Sequence, residues 1–484
     1  MRFKGRLLIV GLGSVCRCAL PLILKHIDLA PENVVLMDFV ECPSWAQFGL
    51  DRGVKFVQER ISQNNYQTLL PKYVSDGDII LDLAWDIDTC SILDWCYRNG
   101  VRFLNTSVEV WDPYTGVEHL HPTERTLYSR QMRIRRMIDA WPDPKGPTAV
   151  VEHGANPGLV SHFTKAALVD IASRILNDNP QPSERNETLR RALRMEDFAK
   201  LAQLSGVKVI HISERDSQIS DCPKQVNEFV NTWSVEGFHE EGIAPAEMGW
   251  GMHEKQLPPN AVIHRGGPGN QICLAQMGCR TMVRSWVPSG EIVGMVIRHG
   301  EAFSISDHLT VWQDGIPVFR PTVHYAYLPC DAAVASLWEL EMLGYNRLQE
   351  KRRIMTDEII EGRDELGCLL MGHDYKGWWI GSLLDIHESR ELVPHNNATV
   401  LQVAAPVVAA LAWMIRNPME GYCLPDDLPY REILDFCKPY LGTCKSMPVD
   451  WTPLSTKRAL FTDFTGGEPR PEDVWQFSTF LVKS

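Results

Sequence analysis

LLIVGLGSV at residues 7–15, followed by VVLMD ending at Asp38, decides how the rest of the chain is read. Leu7 to Val10 are four apolar residues suited to a buried strand, and Gly11 and Gly13 then permit a tight turn that a β-carbon would obstruct. Beyond the turn, Leu20, Ile23, Leu24 and Ile27 recur at helical spacing, so a helix opens at Ser14 and Val15 with exposed N–H groups that favour an anion. Asp38 closes the second strand, where a carboxylate can accept both hydroxyls of an adenosine ribose and repel a 2′-phosphate. These residues predict a site for NAD in preference to NADP. Cys16 stands where the usual third glycine lets helix and strand pack closely; a small thiol fits there but weakens the fingerprint. Without a nucleotide, the same stretch is the strand, turn and helix of an ordinary α/β domain.

Working outward, apolar runs alternate with helical patterns from Arg6 to about Val151: LLIV, VVLMD, VKFVQ, DIILDLA, VRFLNTS and TAVVEHG. That rhythm predicts a doubly wound parallel sheet, with ligands beyond the carboxyl ends of its strands. Asp86 and Asp88, Thr106 to Glu109, and Asn156-Pro157-Gly158 stand at such ends. Arg125 to Trp141 is a basic amphipathic helix whose arginines are expected on a solvated face. From Val207 the segments VKVIHISERD, NEFVNTWSVEGF, TMVRSWVP, EIVGMVIRHGEAFSIS, LTVW and VFRPTVHYAY are β-rich and separated by Gly or Pro turns, which predicts a second, α+β domain on a largely antiparallel sheet. The expected divisions are 1–153 for the nucleotide domain, 154–395 for the substrate domain and 396–484 for a helical and irregular C-terminal region, with the helix near 397–416 packing back onto the first domain.

A chain of 484 residues calls for two or three domains. Its 61 acidic and 48 basic residues leave a net charge of −13 with no long basic run, so nucleic acid is not an expected partner and a cationic small molecule is compatible. The N-terminal apolar run is already the first strand, not a secretory signal, which makes a cytoplasmic protein the expectation. Thirteen cysteines without a CxxC pair fit reduced, semi-buried thiols, and no metal is expected. Ala398 to Arg416 is membrane-like in composition, yet it contains Gln402 and Pro406 and follows the polar pair Asn396-Asn397. A buried central helix is expected, and no membrane association.

The second domain sets acids beside aromatics: Glu214 in HISERD, Trp233 and Glu236 in NTWSVEGF, then Glu240-Glu241-Gly242. An indole face attracts an ammonium within about 6 Å, by about 0.5 to 2 kcal/mol. Composition by itself favours the plainer reading, with Trp233 an ordinary strand aromatic and the glutamates facing solvent. His299 and His324 read as core histidines ahead of metal ligands, and His119 and His121 lack a third ligand.

GANPG (154–158), HISERD (211–216), NTWSVEGF (231–238), PAEMGWG (245–251), RPTVHYAYLPC (320–330), DELG (364–367) and DWTPL (450–454) together resemble bacterial homospermidine synthases over nearly the whole chain. That family resembles saccharopine dehydrogenases, with a Rossmann domain and a second α+β domain, and the resemblance implies a homodimer. It also implies conversion of two putrescines into homospermidine and ammonia, with bound NAD reduced and reoxidised in each turnover. On the same resemblance Trp233 holds the amine or developing iminium, and Glu214 and Asp88 lie near its ammonium groups. Glu241 and Glu109 bind an amine terminus or gather cations at the entrance, Asn156 touches both nicotinamide and substrate, and His299 matches a site histidine. The implied cofactor contacts are Gly11, Gly13, Ser14, Val15, Asp38, Thr106, Asn156 and Pro157. The alternatives are a saccharopine-dehydrogenase-like oxidoreductase acting on an amino acid, which would want arginines for the α-carboxylate, and a non-catalytic polyamine-binding protein.

Overall fold

Each apolar run of the first third of the chain becomes a strand of one all-parallel sheet, and the computed structural model describes residues 1–345, 347–455, 472 and 474–482. The sheet has seven strands in the order Tyr422–Cys423, Ala149–Val150, Arg102–Asn105, Ile79–Asp82, Leu7–Val10, Val34–Asp38, Lys55–Gln58. Order reverses beside Leu7–Val10, so the loops after that strand and after Ile79–Asp82 diverge and leave a crevice at their carboxyl ends. Leu8, Ile9, Leu36 and Leu81 are fully buried, as strands covered on both faces require.

The second layer system is a ten-stranded mixed sheet. Its centre pairs Val209–Asp216 in parallel with Thr322–Leu328 and antiparallel with Arg363–Met371; Gly377–Asp385 and Cys444–Val449 continue the antiparallel run. Two segments read as β-rich turn into helices part-way along. NEFVNTWSVEGF is a strand only over Glu228–Asn231, after which Ser234 accepts from the Gly237 N–H and starts the helix Val235–Ile243. EIVGMVIRHGEAFSIS is a strand to Met295 and a helix over Glu301–His308. Trp233 and His299 therefore sit on the turns between strand and helix, where side chains can face a cleft.

Ala398–Arg416 is buried on nearly all sides and lies against Ser14–His26, the helix of the glycine turn. Its apolar window, the one such stretch among the described residues, is 89% buried. Asn397 caps it by accepting from the Val400 N–H, and its amide donates to the carbonyls of Thr232 and Met355, tying the helix start to the Trp233 turn. Of the stretch 396–484, residues 456–471, 473, 483 and 484 lie outside the described residues.

The helix Leu127–Asp139 corrects part of an expectation: Arg133 and Arg136 are exposed, as on a solvated face, but three of its arginines make ion pairs. Arg130 reaches Glu240, Arg133 pairs with Asp88 and Arg135 with Asp307. Its first N–H groups, Leu127 and Tyr128, donate to the fully buried Glu247 of the second sheet, which meets the positive end of the helix with a carboxylate.

Candidate active site

One cavity of about 470 Å³ runs from the glycine turn to the Trp233 turn and is lined from both sheets. Gly11 has φ +87°, and a β-carbon there would stand 2.7 Å from the backbone nitrogen of Ala84, so only glycine fits twice over. Gly13 meets nothing within 4 Å: its missing side chain leaves open space at the start of a helix whose N-terminus has no side-chain cap. A pyrophosphate fits that cradle. Asp38 holds its place by accepting from the Leu12 N–H at 2.7 Å and the Val40 N–H at 3.2 Å, and it lines the same cavity. Ser14, Val15, Thr106, Asn156 and Pro157 line it as well, so every residue expected to touch the dinucleotide is brought together. Cys16 is completely buried between helix and sheet.

At the other end Trp233 is half-buried, its indole N–H donating to the Tyr327 hydroxyl at 3.0 Å and its ring tilted against Phe238. Tyr327 stacks on Tyr325, and Tyr325 donates its hydroxyl to the Glu214 carboxylate. The Asn156 amide donates to the same carboxylate oxygen at 3.1 Å. Burial, with Asp216 behind it, pushes Glu214 up to about 7 against the pull of the Tyr325 hydroxyl, so this carboxyl exchanges its proton near neutrality.

Glu241 accepts from, or shares a proton with, His299 Nε2 at 2.9 Å, while His299 Nδ1 stands 3.4 Å from Glu301. Burial alone would lower the His299 pKa, but the carboxylates on both sides outweigh it and raise it well above the usual imidazole range. His299 is thus held as a cation that orients Glu241. Glu109 accepts from the Ser107 hydroxyl, and burial together with the Glu240 carboxylate pushes it up to about 7.

Asp88 is not brought to the cavity. It caps the helix Thr89–Arg98 by accepting from the Ser91 N–H at 2.7 Å and receives both guanidinium nitrogens of Arg133, at 2.7 and 3.1 Å, while only 2% exposed. Its charge is already matched by Arg133, and it does not line the cavity where an ammonium would sit. Asp86, two residues earlier, faces the cleft with a left-handed backbone, φ 63°, and pairs with Arg60 at 3.2 Å.

Residues assigned no role from sequence also line this space: Tyr325, Glu152, and the cluster Arg130, Arg298 and Glu240. Tyr325 and Glu152 lie inside words already singled out, RPTVHYAYLPC and TAVVEHG, so the signal was present. Burial opposes ionisation of Glu240, but Arg298 and Arg130 prevail and hold it down to about 2. His324 is a core residue, fully buried beside His211.

Residues 7–150 match the saccharopine dehydrogenase NADP binding domain, and residues 154–449 match the saccharopine dehydrogenase C-terminal domain. The homospermidine synthase of Blastochloris viridis is 39% identical over 488 residues, covering 100% of this chain and 98% of that protein. The chain belongs to the homospermidine synthase family. The Mesorhizobium japonicum enzyme is 38% identical over 99% of this chain and 96% of its own length. Among solved structures, homospermidine synthase from Legionella pneumophila in complex with NAD superposes with a TM-score of 0.87 at 36% identity, covering 100% of this chain and 99% of that one. Family membership thus spans both sheets and the crevice between them.

Proposed function

We propose that this chain joins two putrescines into homospermidine with release of ammonia, holding NAD along Gly11, Gly13, Ser14, Val15, Asp38 and Thr106. The observation that carries the reading is the cavity itself, which sets Trp233, Glu214 and Asn156 opposite the glycine turn in a chain similar to homospermidine synthases over its full length. NAD, when bound, supplies the hydride acceptor and donor of the cycle.

Putrescine is a dication at neutral pH, and the carbon beside its nitrogen gives up hydride only when that amine is neutral. Glu214 takes the ammonium proton, with Tyr325 and Asn156 fixing the carboxylate. Trp233 faces the cationic amine and the iminium that replaces it, stabilising positive charge without a basic group that could deliver water. Glu241, aligned by His299, and Glu109 receive the distal ammonium. Asn156 reaches both substrate and nicotinamide, and Pro157 closes the cofactor side. The second amine, also neutral, attacks the iminium carbon, its N–H proton passes to the first nitrogen, the C–N bond to that nitrogen breaks to release ammonia, and the proton held on Glu214 leaves with it as ammonium. Asp88 takes no part beyond fixing its helix.

Putrescine and related polyamines are the partners in this reading. It gives no role to nucleic acid or a membrane and keeps a cytoplasmic homodimer. Arg130 and Arg298 would suit the carboxylate of an amino acid substrate, but both are spent on Glu240, which disfavours the dehydrogenase reading. Incubation with putrescine and catalytic NAD should yield homospermidine and ammonia in equal amounts with no net NADH. Stoichiometric NADH would instead mark a dehydrogenase, and saturable putrescine binding without product a binding protein.

A further inference from the structure

A second cavity, about 450 Å³, lies between the helices Leu127–Asp139 and Glu301–His308 and the segment 422–427. Four carboxylates line it: Asp139, Asp307, Asp426 and Asp427. Asp307 is neutralised by Arg135 at 2.6 Å, and Asp427 accepts from the Leu424 N–H at 2.8 Å. Asp426 differs from both. It is 5% exposed, and its Oδ2 is buried with no hydrogen-bond partner among the described residues.

No hydrogen-bond donor among the described residues answers Asp426 Oδ2, although the field of the carboxylate reaches the Lys165 ammonium. Lys165 is the adjacent buried cation, but its ammonium donates to the carbonyls of Asp426 and Leu428, not to a carboxylate. Burial lowers the His308 pKa, leaving the imidazole neutral at physiological pH. A carboxylate withdrawn from water demands a cation or N–H donors. Among the described residues no group of three or more His, Cys, Asp or Glu side chains is arranged to hold a metal ion. Ile138, Tyr422 and Leu424 give the cavity apolar walls. Carboxylates beside apolar walls suit an ammonium carried on methylene groups.

We propose that this cavity is a second binding site for a primary alkylammonium, outside the catalytic cavity and centred on Asp426. A buried hydrogen-bond path joins the two cavities: the Tyr422 hydroxyl donates to Gln131 at 3.1 Å, and the Gln131 amide donates to Glu152, which lines the catalytic space.

The test is equilibrium dialysis of isotope-labelled putrescine against the protein loaded with NADH, in which no amine can be dehydrogenated and binding is counted without turnover. A class of putrescine binding that survives Trp233→Ala and disappears in Asp426→Asn is expected. Asp139→Asn, at an exposed position that does not threaten folding, should weaken that class by about threefold. The proposal is overturned if Trp233→Ala removes all putrescine binding, or if the surviving class is unchanged in both aspartate variants. Displacement by magnesium chloride, and not by sodium chloride of equal ionic strength, would also overturn it in favour of a divalent cation. Because no product is measured, failure of the catalytic reading would leave this count intact.

Discussion

Trp233 and Glu214 do different jobs on one substrate, and their variants should separate. A cation–π contact from which water is excluded is worth about 2 kcal/mol, so Trp233→Ala should lower kcat roughly thirtyfold, with NAD affinity unchanged and Trp233→Phe in between. Rapid-quench turnover alongside NAD titration measures both; an alanine variant of normal kcat would remove the indole from the chemistry. Glu214 is pushed up to about 7 by burial first and Asp216 second, and it accepts a proton only when ionised. Activity should therefore rise through about pH 7 and level off above it. Glu109 is also raised to about 7, so the assignment depends on the comparison: Glu109→Gln should keep the rising limb, and Glu214→Gln should lose turnover across the whole range.

Among the elements, the glycine turn makes the sharpest contrast. Gly11→Ala must hold φ +87° and push a methyl into the Ala84 backbone, which should cost more than about 2 kcal/mol and lower both Tm and NAD affinity. Gly13 has φ −75° and open space around it, so Gly13→Ala should keep Tm while weakening NAD, because the methyl then fills the cradle. Calorimetry and NAD titration on the two variants distinguish a glycine required by backbone from one required by ligand. This turn was legible because period, glycine spacing and Asp38 all lie within a few dozen residues. The helix Val235–Ile243 was obscured by its own glycines and aromatics, although Ser234 three residues before Gly237 was a start signal. Asp86 and Asp88 could not be separated by the rule that ligands gather at strand ends; the left-handed backbone at Asp86 and the pairing of Asp88 with Arg133, 45 residues away, decide it, whereas the cap of Asp88 on Ser91 is local.

At the scale of the whole molecule, the two sheets are held across the crevice by charges far apart in the chain. Arg130 stands 110 residues before Glu240 and Arg298 stands 58 after it, and no local pattern announces such a triad. The Arg130 contact is 2.5 Å, with side-chain exposures of 14% for Arg130, 5% for Arg298 and 10% for Glu240. Removing the one carboxylate leaves two buried guanidinium groups without their shared partner, so Glu240→Gln should destabilise the chain by about 3 to 5 kcal/mol in chemical denaturation. The pH dependence has a definite sign. Glu240 falls from an ordinary 4.5 to about 2 on folding, so its stabilisation is full above about pH 4.5 and is lost as pH falls toward 2. Glu109, Glu152 and Glu214, raised to about 7, 8 and 7, work the other way: they favour the folded state below about pH 4.5 and lose that contribution as pH rises through 7 to 8. The ligand-free protein should therefore lose Tm between pH 5 and 8, and Glu240→Gln should keep the part of that slope owed to Glu152 and Glu214, lessen the part owed to Glu109, and lose the acid-side decline. Saturating putrescine should flatten the neutral slope, because a dication lets the cavity's carboxyls ionise without mutual repulsion. A neutral slope that putrescine leaves untouched would place the titrating carboxyls away from the diamine.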